Sequence, residues 1–192
     1  LYHLGIPFSG AMDNRNYLLV NKLVENDLNN PVLEFAYQGP HLKYIGDKIS
    51  FAVTGDVSFK IKSKTSEIDG NCYETYEINN EDEIDILSTN KSVYGYLSLS
   101  GKFDVDYQWG SCSTNTKSNI GANNGKKLEN SQKLHVLDIK EITKRSINYI
   151  NTRIENIRVI RGTNFDYFSK EAQQNFFSEE FNVTKLSDRM GM

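Results

Sequence analysis

The middle of the chain alternates apolar and polar residues with a period of two, the pattern of a strand that faces a core on one side. The alternation is clearest in residues 49–53 and 57–61, where Ile, Phe and Val take every second position. The same period returns in 93–99 and 157–159 and, more weakly, in 72–78 and 84–87. These segments predict half-buried strands.

Turn-forming dipeptides separate the predicted strands. They are Gly55-Asp56, Asp69-Gly70, Asn79-Asn80 and Ser100-Gly101. Gly, Asn and Asp tolerate the backbone angles that tight turns require. The pattern therefore predicts a sheet-rich body closed by short turns.

Two segments have helical spacing instead, and one polar run has neither period. Apolar residues recur every three or four positions from Tyr17 to Leu28, and Asp13 stands where an N-cap is expected. A second helical face runs from Phe165 to Phe176 and begins near Asn164. The Asn-, Ser- and Lys-rich run 113–133 is predicted to be a long surface loop.

Composition excludes several classes of protein. The 192 residues carry a net charge of −3 with no basic block, which argues against nucleic-acid binding. No stretch has the roughly 18 consecutive apolar residues of a membrane helix. Cys72 and Cys112 lack metal-ligand spacing, and the three histidines are dispersed, so reduced thiols, no metal site and a cytoplasmic protein are expected.

Three stretches could carry chemistry. Residues 5–13 form a turn-rich approach to the first helix, where free N–H groups could hold a carboxylate, a phosphate or a carbonyl oxygen, unless Asp13 only caps the helix. Ser111, Ser113 and Thr114 could bind a polar substrate or could satisfy only their own backbone. Arg189 could clamp an anion or could pair with Asp188.

These stretches resemble, in order, the motifs of the allophanate hydrolase subunit 2 family. That family comprises biotin-dependent carboxyltransferase-like proteins and includes the C subunit of 5-oxoprolinase and KipA. The opening G-x-P-x-S-G-A-M-D pattern is matched in full, and the closing S-D-R-M-G likewise. The matched pieces are 5–13, 20–26, 33–40, 54–55, 96–101, 110–115, 157–162 and 187–191.

The resemblance implies a mainly β fold of cyclophilin-like β-barrel subdomains with two or three short helices. It implies a subunit of an ATP-dependent 5-oxoprolinase, which hydrolyses 5-oxoproline to glutamate, or of a biotin-dependent carboxyltransferase-like complex. The partners would be a subunit 1 homologue of the KipI type and the oxoprolinase A subunit, with ATP used by the complex and biotin carried by a partner. The alternatives are a KipA-like regulator that binds a kinase inhibitor, or an inactive truncated homologue.

The resemblance also directs the choice of site residues. The predicted catalytic residues are Ser9, Asp13 and Arg189. The predicted substrate-binding residues are Gly10, Ala11, Asn21, Ser111, Ser113, Thr114 and Asp188. Together they would offer a hydrogen-bond donor to an amide oxygen and an acceptor to the amide nitrogen.

The sequence departs from the family pattern at three charged or small positions. Cys112 stands where the pattern has Arg, Asn115 where it has Asp, and Lys102 where it has the second Gly of a Gly-Gly pair. Residues 1–192 are expected to form a single carboxyltransferase-like region that lacks the family's extreme N-terminus and C-terminal third. A subdomain break is expected within 140–156.

Overall fold

A computed structural model describes residues 9–148 and 156–182 of the chain. The chain divides into two units, Leu1–Asn148 and Tyr149–Met192, which are described separately below. In the described part of the first unit, helix α1 (Asn14–Leu23) precedes ten strands. The strands are β1 (Leu33–Ala36), β2 (His41–Lys43), β3 (Ile49–Thr54), β4 (Val57–Lys62), β5 (Glu67–Gly70), β6 (Thr75–Ile78), β7 (Glu83–Thr89), β8 (Tyr94–Leu99), β9 (Lys102–Phe103) and β10 (Val136–Leu137).

The strands of the first unit form two four-stranded sheets and one ribbon. The first sheet has the order β1-β8-β3-β6, the second has the order β2-β7-β4-β5, and β9 pairs with β10. Every pairing between these strands is antiparallel. The expectation of a mainly β, antiparallel fold with few helices is therefore confirmed.

Both sheets contribute side chains to one hydrophobic core. Phe51 of β3 meets Phe59 of β4 edge to face, with 6.2 Å between ring centroids, and the ring of Tyr76 lies about as close to each. Edge-to-face geometry suits the aromatic quadrupole and adds to the gain from burial. The buried cluster consists of Phe35, Ile49, Phe51, Val53, Val57, Phe59, Ile61, Ile78, Ile84, Ile86, Leu97, Leu99 and Phe103.

Strand β3 differs from the half-buried strand that its alternation predicts, because both of its faces are buried. Ile49, Phe51 and Val53 face the core. The other face is covered by α1, and the hydroxyl of Thr54 donates a hydrogen bond to the carbonyl of Asn16 at 2.8 Å. Small and polar residues on that face make room for the helix. The neighbouring β4 does alternate as predicted.

Helix α1 begins as predicted and ends earlier than predicted. Asp13 is its N-cap, with the carboxylate accepting from the backbone N–H of Asn16. The helical spacing continues to Leu28, but the chain leaves the helix at Val24, and Glu25 has a φ of 55°. The N–H of Asn26 then donates to the carbonyl of Asn21 at 2.9 Å. Tertiary contacts of the following loop therefore override the helical period.

The predicted turn at Asp69-Gly70 is wrong, because both residues end strand β5. Asp69 pairs with Lys60 and Gly70 with Phe59 across the sheet. A Cβ at Gly70 would lie 2.1 Å from the Phe59 ring. Glycine is therefore required here by a ring that covers the strand rather than by a turn.

In the described part of the second unit, the strand predicted at 157–159 does not form. Ile157 is 85% exposed and Ile160 is 95% exposed. The predicted helix begins at Lys170 and not near Asn164, since Ser169 is its N-cap and helix α2 covers Lys170–Ser178. A 3-10 turn, Phe165–Tyr167, precedes it.

The run 113–133 is a loop, as predicted, and its one regular piece in the structure is a 3-10 turn at Ala122–Gly125. Although the loop is polar, it is anchored to the body of the unit, because Asn115 and Gly121 are buried. Within the described ranges, no helix is both long and apolar enough to cross a membrane.

The shared core predicts an unequal response to truncation of two apolar side chains. Phe51→Ala should lower the free energy of unfolding by about 3–5 kcal/mol, because it removes a fully buried ring between the sheets. Leu87→Ala, a truncation on β7 where the side chain is 41% exposed, should cost about 1 kcal/mol or less. Urea unfolding measures both values, and equal losses would contradict a core shared at Phe51.

Candidate functional site

A groove of about 600 Å³ opens on the first unit between two walls. One wall is α1 with the loop that follows it, and the other is the polypeptide after β9. Both walls present mostly polar side chains. The lining residues are Tyr17, Asp27, Leu28, Asn29, Asn30, Tyr107, Gly110, Ser111, Cys112 and Ser113.

Buried asparagines hold the first wall. Asn21 is fully buried on α1; its side-chain NH2 donates to the carbonyls of Asn30 at 3.0 Å and Leu28 at 3.4 Å. Its oxygen accepts from the Ser98 hydroxyl of β8 at 3.1 Å. Asn26 donates to carbonyls at the end of the same strand. Since every buried polar atom needs a partner, these bonds fix the loop 27–30 on the first sheet.

A tight turn fixes the second wall. The backbones of Gln108 and Ser111 exchange hydrogen bonds of 2.9 and 3.0 Å. The two residues between them, Trp109 and Gly110, both have positive φ, as a type I′ turn requires. The hydroxyl of Ser111 accepts from the N–H of Ser113 at 3.2 Å. The Ser-rich stretch thus satisfies part of its own backbone while its residues line the groove.

Gly121 closes this wall from behind. Its φ is +98°, and a Cβ there would lie 1.8 Å from the carbonyl oxygen of Ser113. Its N–H donates to the side-chain oxygen of Gln108 at 2.9 Å. The hydroxyl of Thr114 donates to the carbonyl of Ala122 at 3.2 Å, so Thr114 supports the wall and does not line the groove.

The groove combines phenol donors with a carboxylate acceptor. Burial raises the pKa of Tyr17 above its ordinary value, and the nearby Cys112 and Tyr107 raise it further. Burial also raises the pKa of Tyr107, and the nearby Cys112 raises it further. Both phenols therefore stay protonated at neutral pH. Asp27 supplies a carboxylate in the same groove.

Asp13 lies in a separate polar cluster at the start of α1. One carboxylate oxygen accepts from the backbone N–H of Asn16 at 3.0 Å, and the other from the Asn16 side chain at 2.6 Å. The N–H of Asp13 donates to the Tyr96 hydroxyl at 2.7 Å, and that hydroxyl donates to Glu34 at 2.8 Å. Glu34 also accepts from the N–H of Met12. The structure thus gives Asp13 a capping role, and its catalytic role stays a prediction.

The structure brings some of the predicted site residues together and separates others. Ser111 and Ser113 line the groove, while Thr114 and Asn21 lie behind its walls. The lining contains no residue of the predicted 9–13 segment, in which Ser9 and Ala11 are half-buried and Gly10 is exposed. Asp188 and Arg189 lie outside the described residues.

Sequence reasoning missed half of the groove. Helical spacing places Tyr17 on the apolar face of the helix, and no motif gives a role to the loop 27–30 or to Tyr107. The polar run Asp27-Leu28-Asn29-Asn30 directly after a helix was the available signal. Nothing in the sequence places this run opposite residues eighty positions later.

The lining of this groove does not fit the triphosphate of ATP. A phosphate favours a helix N-terminus or a set of cations. The N-terminus of α1 is already occupied by the Asp13 carboxylate, and the groove lining, taken over the described residues, includes no Lys or Arg. Those residues also hold no group of His, Cys, Asp and Glu side chains suited to a metal ion.

The capping role of Asp13 predicts a stability difference between two variants. Asp13→Ala should lower the free energy of unfolding by about 1 kcal/mol, because the first N–H groups of α1 lose their acceptor. Asp13→Ser should retain most of the stability, since serine is also a good N-cap. Urea unfolding compares them, and an equal loss in both would exclude capping as the source.

The two cysteines should differ in reactivity. Both are free thiols. Burial raises the pKa of Cys72 to about 11, and its thiol donates to the Val57 carbonyl at 3.2 Å. Only the thiolate reacts with iodoacetamide, so at about pH 8 Cys72 should be alkylated at least about 100-fold more slowly in the folded protein than in concentrated urea. Mass spectrometry follows each thiol, and the difference should shrink as the pH approaches 11. Equal alkylation rates of Cys72 in the folded protein and in urea would contradict its burial.

One family model and several curated proteins match this chain. The family model "Carboxyltransferase domain, subdomain A and B" matches residues 4–192. Urea amidolyase of Saccharomyces cerevisiae is 28% identical over 207 residues, which cover 100% of this chain and 11% of that protein. The 5-oxoprolinase C subunit of Haemophilus influenzae is 26% identical over 192 residues, covering 100% of this chain and 60% of that protein.

Solved structures give the same result. The Kluyveromyces lactis urea carboxylase matches with a TM-score of 0.63 and 30% identity, over 68% of this chain and 11% of that chain. The K. lactis urea amidolyase matches in fold with a TM-score of 0.75 and 24% identity, over 96% of this chain and 12% of that chain. The chain thus spans less than two thirds of the curated relatives it matches. It belongs to the carboxyltransferase domain family, subdomains A and B.

Proposed function

We propose that this chain is the carboxyltransferase-like subunit of a 5-oxoprolinase complex, which hydrolyses 5-oxoproline to glutamate at the expense of ATP. Its partners would be a subunit 1 homologue and the oxoprolinase A subunit. The observation that carries the proposal is the groove, where protonated phenols and a carboxylate line one cavity in a chain of this family. The similarity to the 5-oxoprolinase C subunit over the full chain supports the choice of reaction.

The chemistry of a lactam explains why this donor–acceptor set suits it. Resonance makes the lactam carbonyl a poor electrophile until its oxygen is polarised or phosphorylated. Tyr17 or Tyr107 would donate to the carbonyl oxygen, and Asp27 would accept from the ring N–H. A fixed donor aimed at developing charge typically contributes about 3 kcal/mol to the barrier reduction. The chain would thus bind, orient and polarise the amide.

ATP is assigned to the partner chains in this proposal. The first groove presents no Lys or Arg to its phosphates, so the activating step would take place where a partner meets this chain. Biotin, if a complex of this kind uses it, would likewise arrive on a partner, and its neutral ureido group matches the same donors and acceptor. Two free thiols are typical of a reducing compartment, and we place the complex in the cytoplasm.

Urea is the second candidate substrate of the same class. The urea amidolyase and urea carboxylase relatives support it. Urea also presents a carbonyl oxygen beside N–H groups, and it is small enough to enter a groove of this size. The two candidates differ in charge, because 5-oxoproline carries a carboxylate and urea does not.

The test is ATP-dependent glutamate release from 5-oxoproline by the complex of this chain with its cognate partner subunits. Tyr17→Phe should lower kcat by about a hundredfold, because it removes one hydroxyl donor and leaves the ring. Tyr37→Phe, a matched change at an exposed tyrosine outside the groove lining, should leave kcat unchanged. Equal activity of both variants would contradict the proposed role of Tyr17.

One further outcome decides between the two candidate substrates. A complex that assembles but releases no glutamate, and that instead carboxylates urea with a biotinylated partner, would move the assignment to urea.

Asp13→Ser tests the predicted catalytic role separately, because serine retains the helix cap and removes the carboxylate. Full activity of that variant would leave Asp13 as a cap only.

A further inference from the structure

The groove poses a problem of charge for a carboxylated substrate. Among its described lining residues, the one charged side chain is Asp27, which would repel a carboxylate. Cys112 also stands where the family pattern has Arg, so the second wall has lost a cation. A lactam that carries a carboxylate therefore needs a cation from beyond these walls.

A second groove, of about 310 Å³, adjoins the first and contains such cations. The two grooves share Asp27 and Asn30 in their linings. The second is also lined by Asn26, Gly101, Lys102, Asp138 and Lys140. The shared residues make the two cavities neighbouring parts of one surface.

Lys102 lines the second groove and lies beside a residue of the first. Its ammonium lies 5.2 Å from the ring centroid of Tyr107, which lines the first groove. Strand pairing with Leu137 fixes its backbone. Lys140, by contrast, directs its ammonium to the backbone carbonyl of Glu25. Of the two lysines, Lys102 is therefore the one whose ammonium lies beside a residue of the first groove.

We infer that Lys102 is a specificity-determining residue that binds the carboxylate of a carboxylated lactam whose amide lies in the Tyr17–Tyr107 groove. This inference rests on the proposed function. Tyr107 has two roles in it, because its hydroxyl faces the amide and its ring supports the ammonium. A neutral amide makes no use of Lys102, so the residue separates 5-oxoproline from uncharged analogues.

Alkylation of Cys112 by iodoacetamide provides a test that needs no turnover. Cys112 lines the groove, so a bound lactam should protect it, and Cys72 in the same molecule serves as the internal reference. The probes are 5-oxoproline and its neutral analogue 2-pyrrolidinone, added to the full chain. The quantity measured is the lactam concentration that halves the alkylation rate.

In the wild-type chain both lactams should protect Cys112, and 5-oxoproline should do so at the lower concentration. Lys102→Met should raise the half-protective concentration of 5-oxoproline by about three- to tenfold, the effect of losing a half-buried ion pair. The half-protective concentration of 2-pyrrolidinone should not change. Lys102→Arg should restore most of the protection, and Lys60→Met, which removes a lysine outside both linings, should change neither value.

The outcomes separate the two claims. Protection by both lactams that Lys102→Met leaves unchanged would overturn the role of Lys102 and leave the proposed function standing. If neither lactam protects wild-type Cys112, the groove is not the lactam site, and the role of Lys102 is overturned with it.

Discussion

The attachment of α1 to the first sheet through buried hydrogen bonds is the interaction on which the rest of the structure depends. The sheet surface beneath the helix is small and polar, with Thr54 and Ser98 fully or almost fully buried. The Thr54 hydroxyl donates to the backbone carbonyl of Asn16, and the Ser98 hydroxyl donates to the side-chain oxygen of Asn21. An unpaired amide there would cost about 1–3 kcal/mol, so the helix has a single position on the sheet.

This position then determines where the groove forms. Asn21 and Asn26 hold the loop after the helix, and that loop is one wall. The second wall depends on Gly121, which lets the long polar loop fold back against the Gln108–Ser111 turn. Two fixed walls without a basic side chain leave a groove suited to uncharged hydrogen-bonding groups. The charge of a ligand is left to the neighbouring groove that contains Lys102.

The sequence predicts features that depend on neighbouring residues and fails where residues distant in the sequence decide the structure. The strands at β4 and β8 and the N-cap at Asp13 were predicted, because periodicity and capping act over a few neighbouring residues. The strand at 157–159 was wrong, since alternation favours a strand only when another strand is available to pair with it. Asp69-Gly70 is not a turn because the Phe59 ring, eleven residues before Gly70, requires glycine at that point.

The sequence by itself determined the alternating core residues, the start of α1, the long polar loop and the Ser-rich stretch at 111–114, because each depends on local composition and spacing. Only the tertiary structure decided that β3 is buried on both faces and that Asn21 holds a loop. It also decided that Tyr17 and Asp27 face Tyr107 and Cys112. Tyr17 and Asp27 lie eighty or more positions from Tyr107 and Cys112, and their approach follows from the packing of the helix on the sheet, which no local pattern specifies.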